Sequence, residues 1–319
     1  MSRLVLALGG NALLRRGEPA EAETQRRNVA AAASALVSLA ETHELVVTHG
    51  NGPQVGLLAL EADAYHGVKP YPLDVLGAES QGMIGYLLVQ ALRAETDHSV
   101  VAVLTEVVVR VGDPAFTKPT KPIGPVYSEA EARQLAAVNG WTVARDGPHY
   151  RRVVPSPEPL EIVELDAIET LLAVGSIVIC AGGGGVPVVR RNGRLQGVEA
   201  VVDKDLTAAL LAEQVHADRL VMLTDVPYVE LGWGTSSAKP ILQTTPAELR
   251  RLDFASGSMR PKIEAACRFV DHTGGEAAIG ALGELSAVAA GGAGTRVVPE
   301  TPDVRSGARL QTAIGKEAS

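Results

Sequence analysis

Three apolar, strand-like runs in this chain each end in a glycine-rich turn. Val5-Leu6-Ala7-Leu8 leads into Gly9-Gly10-Asn11, Val46-Val47-Thr48-His49 into Gly50-Asn51-Gly52, and Ile177-Val178-Ile179-Cys180 into Ala181 and the glycines at 182–185. Glycine reaches positive φ without a Cβ penalty, so successive N–H groups can converge on one anion. A helix that starts just after such a turn adds the positive end of its dipole. The recurrence points to an α/β protein that handles phosphate.

The segments around the turns keep a strand, turn, helix, strand rhythm. Val29, Ala32, Ala33, Leu36 and Ala40 have the spacing of one helix face, which predicts an amphipathic helix over 24–39. Strands are expected at 45–48 and 100–104, a helix from Pro53, and a longer helix over 74–94. Prolines then crowd residues 110–159 around one short helix near 129–138, the pattern of an inserted subdomain or lid. Beyond it, a helix is expected over 166–174, with Asp166 and Glu169 in capping-box spacing, and a strand at 177–180. A hairpin of 186–189 with 195–202 follows, then a helix from Asp203-Lys204-Asp205 to about 214 and a strand at 220–224. Helices at 246–252 and after 262, and strands at 277–281 and 295–298, complete the pattern.

Such alternation favours a largely parallel sheet with helices on both faces and ligands beyond the carboxyl ends of its strands. One sheet can use a chain of 319 residues, so residues 1–299 are expected to form a single domain with the insertion at about 110–159. The polar, weakly patterned tail, 300–319, is expected to be mostly disordered.

Aromatic residues make up only 3% of the chain, so aliphatic side chains and alanine must fill its core. The net charge of −8 argues against nucleic acid as a main partner, because binding a phosphate backbone usually needs a basic face. Residues 171–189 carry no charge and approach the length of a bilayer span, but their glycines and Pro187 break a helix, so no membrane span is expected. The apolar run after Met1-Ser2-Arg3 is too short for a signal peptide, which makes the expected location cytoplasmic. Cys180 and Cys267 form neither a disulfide framework nor a metal-ligand spacing.

Lysine usage is more telling than total charge. Only seven of the 29 basic residues are lysines, so those that remain invite a chemical reading. A compact ammonium on a flexible stem can follow a phosphoryl group in transit, where a planar guanidinium acts differently. Three lysines stand in distinctive settings: Lys121 in Thr120-Lys121-Pro122-Ile123-Gly124-Pro125, Lys204 between Asp203 and Asp205 at a helix start, and Lys262 in Ser258-Met259-Arg260-Pro261-Lys262. Taken alone, each lysine reads equally well as a solvated surface group, and the aspartates as helix caps. No G-x-G-x-x-G follows a strand, and no glycine loop is followed by Lys-Ser or Lys-Thr, so neither a dinucleotide fingerprint nor a standard P-loop is present.

Together these segments resemble the carbamate kinases. The resemblance runs in order through Leu6-Ala7-Leu8-Gly9-Gly10-Asn11-Ala12, Thr48-His49-Gly50-Asn51-Gly52-Pro53-Gln54-Val55-Gly56, the 120–125 segment, Gly197-Val198-Glu199-Ala200-Val201-Val202-Asp203-Lys204-Asp205 and Gly257-Ser258-Met259-Arg260-Pro261-Lys262. It implies the amino-acid kinase fold, a three-layer α/β/α sandwich with a small protruding subdomain, and a homodimer. It also implies transfer of a phosphoryl group between carbamoyl phosphate and ADP, with Mg2+ carried mainly on the nucleotide phosphates. By the same resemblance Lys121, Lys204 and Lys262 stabilise charge on the moving group and Asp203 orients them. Gly9, Gly10, Asn11, Gly50, Asn51 and Gly52 would cradle substrate and phosphate. ATP or ADP would meet Gly183, Gly184, Thr224, Asp225, Tyr228, Met259 and Pro261. Gly232-Trp233-Gly234-Thr235-Ser236-Ser237 lacks the proline that relatives often carry near the adenosine pocket. Two other readings compete: a kinase of the same fold with another acceptor, and a sensor that binds without turnover.

Overall fold

Successive side chains of a strand point to opposite faces of its sheet, and in the strand Ser2–Leu8 both faces are apolar. Leu4, Leu6 and Leu8 enter one core while Val5 and Ala7 enter another, the pattern of a parallel sheet covered on both sides. The computed structural model describes residues 1–10, 13–15, 17–252, 254, 259–300 and 311–312.

The chain runs through β1 (Ser2–Leu8), α1 (Ala22–Ala40), β2 (His43–His49), α2 (Gly52–Ala64), α3 (Leu73–Arg93), β3 (Val100–Ala102) and β4 (Glu106–Val109). Next come β5 (Lys121–Tyr127), α4 (Glu129–Asn139), β6 (Thr142–Asp146), β7 (His149–Val154), β8 (Pro159–Ile162), α5 (Leu165–Ala173), β9 (Ile177–Ile179), β10 (Val186–Arg191) and β11 (Arg194–Gly197). The remainder comprises α6 (Lys204–Gln214), β12 (Arg219–Thr224), β13 (Val229–Leu231), β14 (Lys239–Thr244), α7 (Pro246–Arg250), α8 (Met259–Thr273), β15 (Glu276–Ala281), α9 (Leu285–Ala289), β16 (Thr295–Val297) and β17 (Gln311–Thr312).

Among the described residues the main sheet has ten strands in the order β13-β14-β16-β15-β12-β1-β2-β9-β3, with β17 beside β14. Its centre, from β15 to β3, is wholly parallel. Helices α1, α3 and α9 cover one face, and α5, α6 and α8 cover the other, giving a three-layer α/β/α sandwich. A second sheet, β11-β10-β4-β8, extends beside it, and residues between β4 and β8 build a third, β5-β7-β6, against which α4 packs.

The uncharged stretch at 171–189 divides into the end of α5, strand β9, a 3-10 turn and β10, and no described helix is long and apolar enough to cross a membrane. Two local expectations need correction. Helix α5 starts at Leu165 with Glu164 as its N-cap residue, and no capping box forms at Asp166. The Glu164 carboxylate instead accepts from Glu106 N at 2.8 Å, tying the helix start to β4. The second hairpin strand also ends at Gly197, well before Val202, because Val201 N donates to Pro155 O and the chain turns towards α6. Of the tail, only Glu300 and β17 lie within the described residues, with β17 antiparallel to β14; the disorder expected for the rest falls outside them.

In a core with so few aromatics, Phe269 on α8 is fully buried. Truncating it leaves a cavity that small neighbours cannot refill, so Phe269→Ala should lower the unfolding free energy by about 3–5 kcal/mol. Denaturant titration reads this directly, and a loss below about 1 kcal/mol would mean that the surrounding core collapses to fill the site.

Candidate active site

The central strands end together and bring two of the glycine turns into contact. Gly9 N donates to Leu223 O and Gly50 N donates to Leu8 O, both at 3.0 Å. A Cβ on Gly9 would stand 2.8 Å from Leu223 O, and one on Gly50 would stand 3.0 Å from Gly10 N, so neither turn has room for a side chain. Asn51 is the N-cap residue of α2, and its side chain donates to Ser80 Oγ at 2.8 Å. Gly52 therefore occupies the positive end of a 13-residue helix beside the other two turns. Asn11 lies outside the described residues.

The third turn, Gly182–Gly184, lies against the second. A Cβ on Gly182 would meet His49 Nε2 at 2.3 Å, and one on Gly183, whose φ is +67°, would meet Asn51 Nδ2 at 2.1 Å. A Cβ on Gly184 would stand 2.6 Å from Val202 O, just before the start of α6. The turn thus joins the Gly50 loop to the lysine-bearing helix.

A buried cluster of charge occupies this junction. Asp203 is the N-cap of α6, and its Oδ1 accepts from Asp205 N and Leu206 N. Its Oδ2 meets Lys121 Nζ at 2.5 Å, across 82 positions of sequence. The same aspartate therefore caps the helix and holds a lysine delivered by β5. Asp205 holds the other two: its Oδ2 accepts from Lys262 Nζ at 2.8 Å, and its Oδ1 lies 2.8 Å from Lys204 Nζ. The Lys204 ammonium is thus paired with Asp205 as closely as Lys262 is. Three lysines and two aspartates leave one net positive charge at the site.

Burial dominates the electrostatics. It pulls the Lys204 ammonium below the ordinary lysine range, with the Asp205 charge opposing. Burial would raise the Asp205 carboxyl, but Lys204 and Lys262 outweigh it and hold that carboxyl well below the usual carboxylate range. The His49 imidazole is wholly enclosed, and burial pulls it down to about 4. With Nδ1 3.1 Å from Gly50 O and Nε2 against the Gly182 turn, His49 is a neutral packing group in this arrangement.

A cleft of about 830 Å3 opens beyond the ends of β1, β12 and β15, and its walls include Gly9, Gly10, Thr224, Asp225 and Lys262. Gly183 and Gly184 are not among its walls; both are buried, packed between Asn51 and the start of α6. Tyr228 precedes β13, and Met259 and Pro261 start α8; none of the three lines this cleft. Asp205 emerges as a site residue only in space, since in the sequence its place two residues after Asp203 reads as helix capping. Ser80, Gln81 and Thr105 also support the turns: Gln81 and Thr105 exchange two hydrogen bonds, and Thr105 Oγ1 accepts from Ala181 N at 2.9 Å. They lie on α3 and after β3, with no local motif to mark them.

Residues 2–280 match the amino acid kinase family. The carbamate kinase of Haemophilus influenzae is 51% identical over 305 residues, spanning 95% of this chain and 98% of the relative. That of Escherichia coli K12 is 53% identical over 296 residues, spanning 92% and 99%. The structure of Giardia lamblia carbamate kinase bound to AMP-PNP superposes with a TM-score of 0.85 at 40% identity, covering 94% of this chain and 99% of that one.

Among the described residues, Asp205→Asn removes the only negative charge touching both Lys204 and Lys262, and uncompensated buried charge of this kind costs about 3–5 kcal/mol. The unfolding midpoint should fall accordingly; a variant as stable as its parent would mean that the lysines find other compensation. His49 supplies a pH test. Its folded value of about 4 lies below the ordinary 6.5, so between these values the unfolded chain binds more protons. Its contribution is complete above pH 6.5 and is lost as pH falls towards 4, in total about 3 kcal/mol. Denaturation across this window should show that acid limb, and an unchanged limb in His49→Gln would assign it to other groups.

Proposed function

Since the chain belongs to the amino acid kinase family, and its relatives there are carbamate kinases, we propose that Lys121, Lys204 and Lys262, held by Asp203 and Asp205, carry its phosphoryl transfer. The reaction is that of carbamate kinase: carbamoyl phosphate and ADP interconvert with carbamate and ATP, and carbamate breaks down to ammonia and carbon dioxide. One observation carries the assignment of the site. Two buried ammonium groups share a single carboxylate at the start of α6, beside glycine turns too tight for any side chain.

Phosphoryl transfer asks a protein chiefly to align two anions and to stabilise charge on the equatorial oxygens. The Gly9-Gly10-Asn11 and Gly50-Asn51-Gly52 turns would hold the carbamoyl phosphate at the positive end of α2, Gly9 and Gly50 by shaping the turns, since their own N–H groups already donate to Leu223 O and Leu8 O. ADP would lie in the cleft at Thr224 and Asp225; the other residues that the resemblance assigns to the nucleotide, Gly183, Gly184, Tyr228, Met259 and Pro261, do not line that cleft. An ATP analogue bound to the Giardia relative supports ATP and ADP as substrates. Lys204, paired with Asp205 Oδ1, and Lys262, in the first turn of α8, would follow the phosphoryl group, while Lys121 approaches from β5. Carbamate is an anion that attacks through oxygen, so the step needs no general base, and the neutral, enclosed His49 is not asked to be one.

Among the described residues no group of three or more His, Cys, Asp or Glu could cage a metal, and Asp203 and Asp205 are engaged by lysines. A magnesium ion therefore suits this site as a passenger on nucleotide phosphates and water, its common habit. When bound, it would neutralise phosphate charge. The same reading includes a homodimer, which the resemblance to carbamate kinases implies, a cytoplasmic location, and a place either in arginine fermentation or in the breakdown of purines or other nitrogen compounds.

The test is ATP formation by the purified protein from carbamoyl phosphate, ADP and magnesium. Removing one preorganised donor commonly costs a factor of about 100–1,000 in turnover, so Lys204→Ala and Lys262→Ala should each lose about that much while still binding ADP. Near-normal turnover in either variant would remove that lysine from the proposed machinery.

A further inference from the structure

Two motifs that stand 68 positions apart in the sequence touch through their glycines. Gly56 is one turn into α2, and Gly124 is three residues after Lys121 in β5. An ideal Cβ on Gly56 would lie 2.3 Å from Gly124 Cα and 2.6 Å from Gly124 N. Those are backbone atoms, so no side-chain rotation could relieve the overlap. The constraint is one-sided: a Cβ on Gly124 would meet Gly56 Cα only at 3.9 Å, but Gly124 has φ +69°, which favours glycine for its own reason. The left-handed residue lies where the pairing of β5 with β7 shifts register, and Gly124 O accepts from the Arg151 guanidinium of β7 at 2.6 Å.

The contact joins two parts of the site. Helix α2 begins at Gly52, directly after the Gly50-Asn51 turn, so Gly56 is fixed one helical turn, about 5.4 Å, from that cradle. Strand β5 begins at Lys121, whose ammonium reaches Asp203. Val55 and Ile123, neighbours of the two glycines, lie in one small apolar cluster that holds helix and strand together.

We propose that Gly56 is a positioning residue for the transfer step: its missing side chain lets β5 sit against α2 at the one distance that places Lys121 over Asp203. Gly124 supplies the matching bend. The proposal rests on the role of Lys121 argued above. Any atom added at Gly56 moves β5 outward and withdraws the Lys121 ammonium, while the nucleotide cleft on the other side of the site keeps its walls.

Turnover and ADP affinity of Gly56→Ala, Lys121→Ala and the double variant test this. Misplacement by about an ångström can cost two orders of magnitude, so Gly56→Ala should lower kcat roughly 10- to 100-fold with ADP affinity within about twofold of the parent. In the Lys121→Ala background the same change should add little. If Lys121→Ala itself turns over normally, the lysine assignment fails. If Lys121→Ala is impaired but Gly56→Ala is not, or if the two losses multiply, the positioning proposal alone is overturned. Should Gly56→Ala fail to fold, Gly124→Val and Gly124→Asn replace it. Valine resists the left-handed conformation and asparagine tolerates it, so valine should lose turnover that asparagine largely restores. Equal activity in these two would also overturn the proposal.

Discussion

The Asp205 carboxylate is the group on which the rest of the site depends. Two buried ammonium groups lie within 2.8 Å of it, and it is the carboxylate they share. Burial disfavours an ion, and a second like charge nearby disfavours it again; one shared carboxylate answers both penalties. Asp203 plays the corresponding part for Lys121 while spending its other oxygen on the backbone of α6. The arrangement keeps three cations in place with one net positive charge.

That charge cluster is possible because of where the sheet ends. Parallel strands deliver all their carboxyl ends to one edge, and β1, β2 and β9 there turn through glycine while β12 opens onto the cleft. The helices α2, α6 and α8 then start at that edge and point their positive ends into the same region. Lys121 comes from outside this scheme, on a strand of the separate three-stranded sheet, and needs its own alignment against α2.

Much of this was legible in the chain itself. The continuous apolar runs before each glycine turn marked a sheet buried on both faces, and helices such as α1 and α3 appear within one or two residues of their periodicity. The scarcity of lysine singled out three residues that the fold brings to two neighbouring aspartates. What stayed hidden had no local signature. The Asp166 capping box failed because Glu164 is drawn to a backbone N–H of β4, a partner 58 positions away. The role of Asp205 depends on Lys262, 57 positions on, and the support from Gln81 and Thr105 on a meeting of α3 with the loop after β3. Short strands such as β4, β8 and β13 take their extended form from pairing rather than from pattern.

The site's investment in fixed charge also explains what it lacks. His49 sits where the glycine turns meet, yet is sealed, neutral, and turned towards the backbone of its neighbour. An imidazole able to accept a proton there would place a cation beside Lys204, whose charge already contributes to lowering the histidine value. A base and a cluster of buried ammonium groups are therefore competing uses of one space. A transfer between two anions, in which no proton has to leave the nucleophile, is the chemistry that lets the second use prevail.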